Sequence, residues 1–226
     1  MPSPTSSPRI ASLPPLPRSF YARDPREVAR ELLGKLLIRR QSTLTLAGRI
    51  VETEAYLGLT DPGAHAYCGL TPRNAVLFGP PGHAYIYFIY GNHYCTNVSC
   101  QPTEGGGVLI RALEPICGLD SMAALRHLPL DLSLAPDLPP SKLRQLTSGP
   151  GRLSAALAIT REQDNGKDLC SPSSDLLIAA DQNTTPPITA TPRINVTRAP
   201  HDKWRYIITG NPYVSGPRSL SRAISE

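Results

Sequence analysis

Lysine is scarce in this chain: Lys35, Lys142, Lys167 and Lys203 are the only four in 226 residues, and arginine makes up the rest of the 23 basic side chains. That leaves few amines for Schiff-base chemistry. No apolar run approaches the roughly 20 residues that span a bilayer, and no secretory apolar core stands near the amino terminus. The expectation is a soluble protein with no membrane partner. The five cysteines, Cys68, Cys95, Cys100, Cys117 and Cys170, are odd in number and irregular in spacing. They read as reduced thiols of an intracellular, reducing compartment, the cytoplasm of a prokaryote or the nucleus of a eukaryote. There is no Walker-type glycine loop, no Gly-x-Ser-x-Gly elbow and no internal repeat. His65, Cys68, His93 and Cys95 do not fall at the spacings of structural zinc sites. Neither a metal nor a cofactor is expected.

What is present fits one compact domain. The length suffices for one sizeable core, and a formal charge of +5 with a sequence pI near 9.1 suits an anionic partner such as nucleic acid, without requiring one. Residues 1–18, rich in proline and serine, read as a disordered arm, residues 19–218 as the folded domain and 219–226 as a tail. Asp24, Pro25 and Glu27 signal a helix start, with Val28, Leu32, Leu33 and Leu36 as its apolar stripe. Leu44 to Leu57 reads as a strand pair or one long strand with an irregularity at Gly48. Tyr85 to Tyr90 and Tyr94 to Val98 read as strands joined by a Gly91-Asn92 turn, and Val108 to Ala112 as another. Helices are predicted over Leu119 to Arg126 and Arg152 to Ile159, and strands over Arg193 to Val196 and Trp204 to Thr209. The regions 128–140 and much of 171–192 read as proline-rich loops. The fold class is α+β: a mainly antiparallel sheet with helices packed to one side.

Four places could carry chemistry. Strand alternation puts Glu52, Glu54 and Tyr56 on one face and Val51, Thr53 and Ala55 on the other. That face is either solvated or paired with arginine, or it presents a general base beside an aromatic platform. Tyr85, Tyr87, Tyr90 and Tyr94 crowd into ten residues, as ordinary sheet packing or as rings that stack on bases and wedge into a helix. Arg111 sits inside an apolar strand on the same face as Leu109 and needs an anion, whether a structural carboxylate, a catalytic one or a phosphate. Ser148 to Gly151 could cap a helix or offer amides to a phosphate.

Taken in order, Arg49 to Gly58, Asp61 to His65, Thr71 to Asn74, Tyr85 to Gly91, Asn97, Leu109 to Pro115, Ser148 to Pro150 and Asn211 to Ser215 resemble the alkyladenine (3-methyladenine) DNA glycosylases. The likeness runs from about Arg18 to Ser215. It implies a single mixed domain with a protruding β-hairpin that inserts into DNA, acting as a monomer on double-stranded DNA containing damaged purines. By resemblance, Glu54 is the base that activates water, and Arg111 helps hold that water and the adjacent phosphate. Tyr56, His65 and Tyr87 sandwich the extruded purine, with Asn97 and Leu109 in the same pocket; Asn97 disfavours guanine's exocyclic amine. Tyr90, next to Gly91 at the hairpin turn, fills the vacated stack, and Thr71, Arg73 and Asn74 lie on the DNA side. None of the four lysines falls in the matched site segments, so water is the expected nucleophile. Two features depart from the pattern: the 128–140 and 170–192 regions do not align with it, and Tyr213 stands where tryptophan is common. The chief rival is a catalytically weak or inactive DNA damage binder on the same scaffold; the second, from another class, is a basic, aromatic RNA or single-strand binder, but pure binding gains little from a pocket carboxylate facing a polyanion.

Overall fold

A computed structural model describes residues 7–41, 43–89, 91–130, 138–181 and 187–216. In chain order the elements are α1 (Ser7–Ala11), α2 (Arg18–Tyr21), α3 (Pro25–Leu32), β1 (Leu36–Arg40), β2 (Thr45–Tyr56), α4 (Ala75–Phe78), β3 (Ala84–Ile89) and β4 (His93–Cys100). There follow β5 (Gly106–Cys117), α5 (Leu119–Leu125), α6 (Pro140–Thr147), α7 (Pro150–Ala156), α8 (Arg161–Asp164), β6 (Leu176–Ala179), β7 (Ile188–Thr191) and β8 (Arg205–Ile208). The strands form one antiparallel sheet in the order β3-β4-β5-β2-β1-β6, with β8 pairing the second half of β2 and β7 pairing β8.

The long strand β2 organises the molecule. Its first half pairs with β1 and its second with β8, while β5 runs along its other side. The irregularity expected at Gly48 is a register shift against β5, and a Cβ there would lie 2.8 Å from that of Leu113. Two further shifts leave Val51 on β2 and Arg111 on β5 without a register partner. Such bulges re-aim side chains.

The alternation expected for β2 holds: Val51 and Ala55 enter the main core with Val28 and Leu32 of α3, and Thr53 Oγ1 donates to Ala29 O at 2.8 Å. Asp24 caps α3 by accepting from Arg26 N. The helix stops earlier than its apolar stripe suggested. Gly34, with φ 86°, breaks it, and Leu36 opens β1.

Strands β1 and β6 were missed because they lack alternation. Leu37, Leu176 and Ile178 join the main core, whereas Leu36, Ile38, Leu177 and Ala179 pack on the opposite face around Ile10. A strand buried on both faces reads as a plain apolar run. The second cover comes from α1, so residues 7–18 are not a disordered arm and the helices are not all on one side. Ile10 and Leu16 are buried, and Leu16 N donates to Ile178 O at 2.8 Å. Arg193 to Val196 is not a strand: Asn195 adopts φ 60° and the segment turns there. The 128–140 and 171–192 regions contain the start of α6 and all of β6 and β7. Among the described residues, no helix is long and apolar enough to cross a membrane.

Candidate active site

On the face of β2 opposite α3 lies a cleft of about 830 Å³. One wall is aromatic: Tyr56, Tyr85 and Tyr87 line it with His65, which stands exposed at its mouth. The His65 ring meets Tyr87 edge-on at 4.5 Å between centroids, and its Nδ1 lies 3.0 Å from the Tyr85 hydroxyl. Desolvation against these rings, then the Arg73 charge, holds the imidazole below its ordinary pKa. His65 is therefore neutral at neutral pH, and a neutral ring does not repel a cation. Burial raises the phenol pKa of both Tyr56 and Tyr87, so both remain donors.

The floor is polar. Strand β4 contributes Cys95 and Asn97, and β5 contributes Leu109 and Arg111. Asn97 is buried and donates Nδ2 to Tyr85 O at 3.0 Å, which fixes its amide. Beneath the lining lies Glu54, fully buried. Its Oε2 accepts from the Tyr56 hydroxyl at 2.9 Å and from Arg111 Nη1 at 3.2 Å, and its Oε1 accepts from Ile194 N at 2.7 Å. The structure thus brings together Glu54, Arg111, Tyr56, His65, Tyr87, Asn97 and Leu109. The face that sequence left as either solvated or paired is buried and paired.

Two loops close the cleft. The turn after β2 is built around Asp61, which accepts from Leu57 N and Gly63 N. The same carboxylate receives both terminal nitrogens of Arg193, at 2.5 and 2.8 Å. Arg193 lies between the Tyr56 and Trp204 rings, 4.7 and 4.9 Å from their centroids. It thereby holds Ile194 N against Glu54. Sequence reading missed Arg193 and Ile194; an arginine in a polar stretch, 132 residues from its carboxylate, gives no local signal.

The rim is basic. Arg126, Arg152 and Arg198 line the cleft alongside Ser148, Gly149 and Gly151. Arg126 Nε is buried without an acceptor among the described residues, and burial together with the Arg152 charge lowers the Arg126 pKa. Two arginines that repel each other in a cleft suit an incoming polyanion. Ser148 to Gly151 does open a helix, α7.

The remaining expected residues lie apart from this floor. Thr71 and Arg73 are exposed on the loop after His65, whereas Asn74 is buried and spends its amide within that loop, on Thr71 N, His65 O and Gly69 O. Gly91, exposed and at φ 72°, follows β3 in the β3–β4 hairpin. Tyr90 lies outside the described residues. Among the described residues, no group of three or more His, Cys, Asp or Glu is placed to hold a metal.

Comparison with known proteins gives the family. Residues 19–212 match the family described as Methylpurine-DNA glycosylase (MPG). A protein of Koribacter versatilis named "Putative 3-methyladenine DNA glycosylase" is 57% identical over 212 residues, covering 93% of this chain and 98% of its own. Proteins of the same name from Methanoculleus marisnigri and Clostridium acetobutylicum are 47% and 45% identical, each over 88% of this chain and over 98% and 96% of their own. With the match spanning the whole cleft-bearing domain, the chain belongs to the methylpurine-DNA glycosylase family.

Proposed function

We propose that the protein is a monofunctional DNA glycosylase of base excision repair that flips alkylated or deaminated purines out of duplex DNA and hydrolyses their N-glycosidic bonds. The substrate class is 3-methyladenine, 7-methylguanine, hypoxanthine and ethenoadenine. Family membership gives the reaction class, hydrolysis of an N-glycosyl bond. The observation that carries the rest is the placement of Glu54, shared by Arg111 and Tyr56 at the floor of an aromatic cleft with a basic rim.

In this reading a water reaches the carboxylate from the cleft side, where Tyr56 and Arg111 meet it. Glu54 takes a proton as the water oxygen bonds to the anomeric carbon, and the glycosidic electron pair departs with the purine, leaving an abasic site. An alkylated purine cation becomes neutral as it leaves, and it is attracted to the ring faces by about 0.5 to 2 kcal/mol while bound. Extrusion costs a few kcal/mol, least where the lesion already pairs poorly. The β3–β4 hairpin, with Tyr90 as wedge and Thr71 and Arg73 beside the pocket, is the part that enters the DNA. The enzyme acts as a monomer in the reducing compartment that holds DNA.

The full burial of Glu54 favours one other reading, a damage binder with no hydrolytic activity. The test for both is release of free base from a duplex oligonucleotide carrying one ethenoadenine or hypoxanthine, by the native protein and by Glu54→Gln. Release that vanishes in the variant, with strand cleavage only after hot alkali, supports the hydrolase. Tight lesion binding without release from these duplexes or from a methylated-purine duplex supports the binder.

A further inference from the structure

We propose that Glu52 is a positioning residue that fixes Arg111 against Glu54 and balances the charge around the base; the inference rests on the reading of Glu54 given above. Glu52 precedes Glu54 by two residues on β2 and is fully buried on the same face. It does not itself line the cleft and is closed to solvent, yet it accepts four hydrogen bonds. Arg111 Nε donates to Oε1 at 2.9 Å and Arg205 Nε at 2.7 Å; Ser215 donates its hydroxyl to Oε1 at 2.9 Å and its backbone N to Oε2 at 2.7 Å. The tighter of the two links made by Arg111 is therefore to Glu52, because its bond to Glu54 is 3.2 Å long. Arg111 stands at the β5 bulge, where the ladder does not fix its direction; the carboxylate of Glu52 does.

The charged groups around Glu54 come from each element packed against it. Strand β2 supplies Glu52, β5 supplies Arg111 and β8 supplies Arg205. The closing loops supply Arg193 and Asp61, and the neutral Tyr56 and Cys95 complete the surroundings. Three carboxylates face three guanidinium groups. With Glu52 neutralised, the cluster carries one uncompensated positive charge, which favours the ionised form of Glu54 and makes it a weaker base. Glu52 thus lets an arginine orient the base without disabling it.

The experiment is the single-turnover rate against pH on a duplex carrying 7-methylguanine, a lesion already cationic, for the native protein, Glu52→Gln, Glu52→Asp and Glu54→Gln. Glu52→Gln is expected to slow the step about tenfold or more and to move the acid limb of the profile down by about one pH unit. Lesion-duplex Kd is expected to change by less than about threefold, since Glu52 does not reach the cleft. Glu52→Asp, which keeps the charge, leaves the limb in place. Should Glu52→Gln fail to fold by circular dichroism, Arg205→Gln carries the test with the sign reversed, its limb moving up. A limb that stays put in a folded charge variant overturns the proposal. Base release by Glu54→Gln overturns the reading beneath it instead, so the two failures are told apart.

Discussion

Replacing Asp61 by asparagine tests whether the cleft is held together by one buried ion pair. Asp61 is fully buried, and each of its oxygens serves two donors: Oδ1 takes Gly63 N and Arg193 Nη2, and Oδ2 takes Leu57 N and Arg193 Nη1. An amide in its place must turn its NH2 toward one of these pairs, so two N–H groups lose their acceptor whichever way it is flipped. It also leaves the Arg193 guanidinium, set between two aromatic rings, without its paired carboxylate. Breaking such a pair from one side costs about 3 to 5 kcal/mol. For a chain of this length, each kcal/mol lowers Tm by about 2 to 4 °C, so Asp61→Asn should melt roughly 6 to 20 °C below the native protein. The domain should still be folded at 20 °C, and there the base-release rate should fall at least tenfold as Ile194 N–H loses its hold on Glu54. A double-mutant cycle with Arg193→Met should return a coupling energy of about 3 kcal/mol, at the upper end for groups in contact. A Tm drop below about 3 °C, or an unchanged rate, would refute the idea that this pair assembles both walls.

The other predictions concern DNA binding, pH and the sheet. Arg126→Ala and Arg152→Ala should each flatten the plot of log K against log salt by about 0.9, measured by fluorescence anisotropy, if each neutralises one phosphate; an unchanged slope removes that arginine from the DNA face. Because the environment of His65 disfavours its charged form, the ring becomes charged only below pH 6.5, the ordinary imidazole value. Affinity for a 7-methylguanine duplex should therefore weaken as pH falls below that point, and His65→Phe should abolish the dependence. Gly48→Ala should destabilise the domain by about 1 to 3 kcal/mol in thermal denaturation, since the added methyl meets Leu113 and the backbone oxygen of Glu114.

The local signals in the sequence were sound where one face of an element was buried and the other was not. The β2 alternation separated Val51 and Ala55 from Glu52 and Glu54, and the Gly48 irregularity and the Asp24 cap lie where their residue types put them. The signal failed where burial was two-sided. Leu36 to Ile38 and Leu176 to Ala179 carry no period, and the segment that buries their second face looked too polar to fold. Within the site, Glu54, Arg111 and the aromatic wall were legible through resemblance and residue type. The groups that hold them, Glu52 with Arg205 and Asp61 with Arg193, are joined across 153 and 132 residues. Only the sheet order brings such partners together, and a period of two along one strand carries no information about it.

The bonds from Ser215 to Glu52 have a consequence for how the protein is made. Two of the four donors on that carboxylate come from Ser215, 163 residues further along the chain, and Arg205, a third, lies only ten residues before it. A nascent chain can emerge from the ribosome with β2, β3, β4 and β5 complete and still lack these ties. A chain stopped between Arg198 and Arg205 would carry every residue that lines the cleft yet hold Glu52 by Arg111 alone, so Glu52 receives its full set of donors only after every group that faces the cleft has been made.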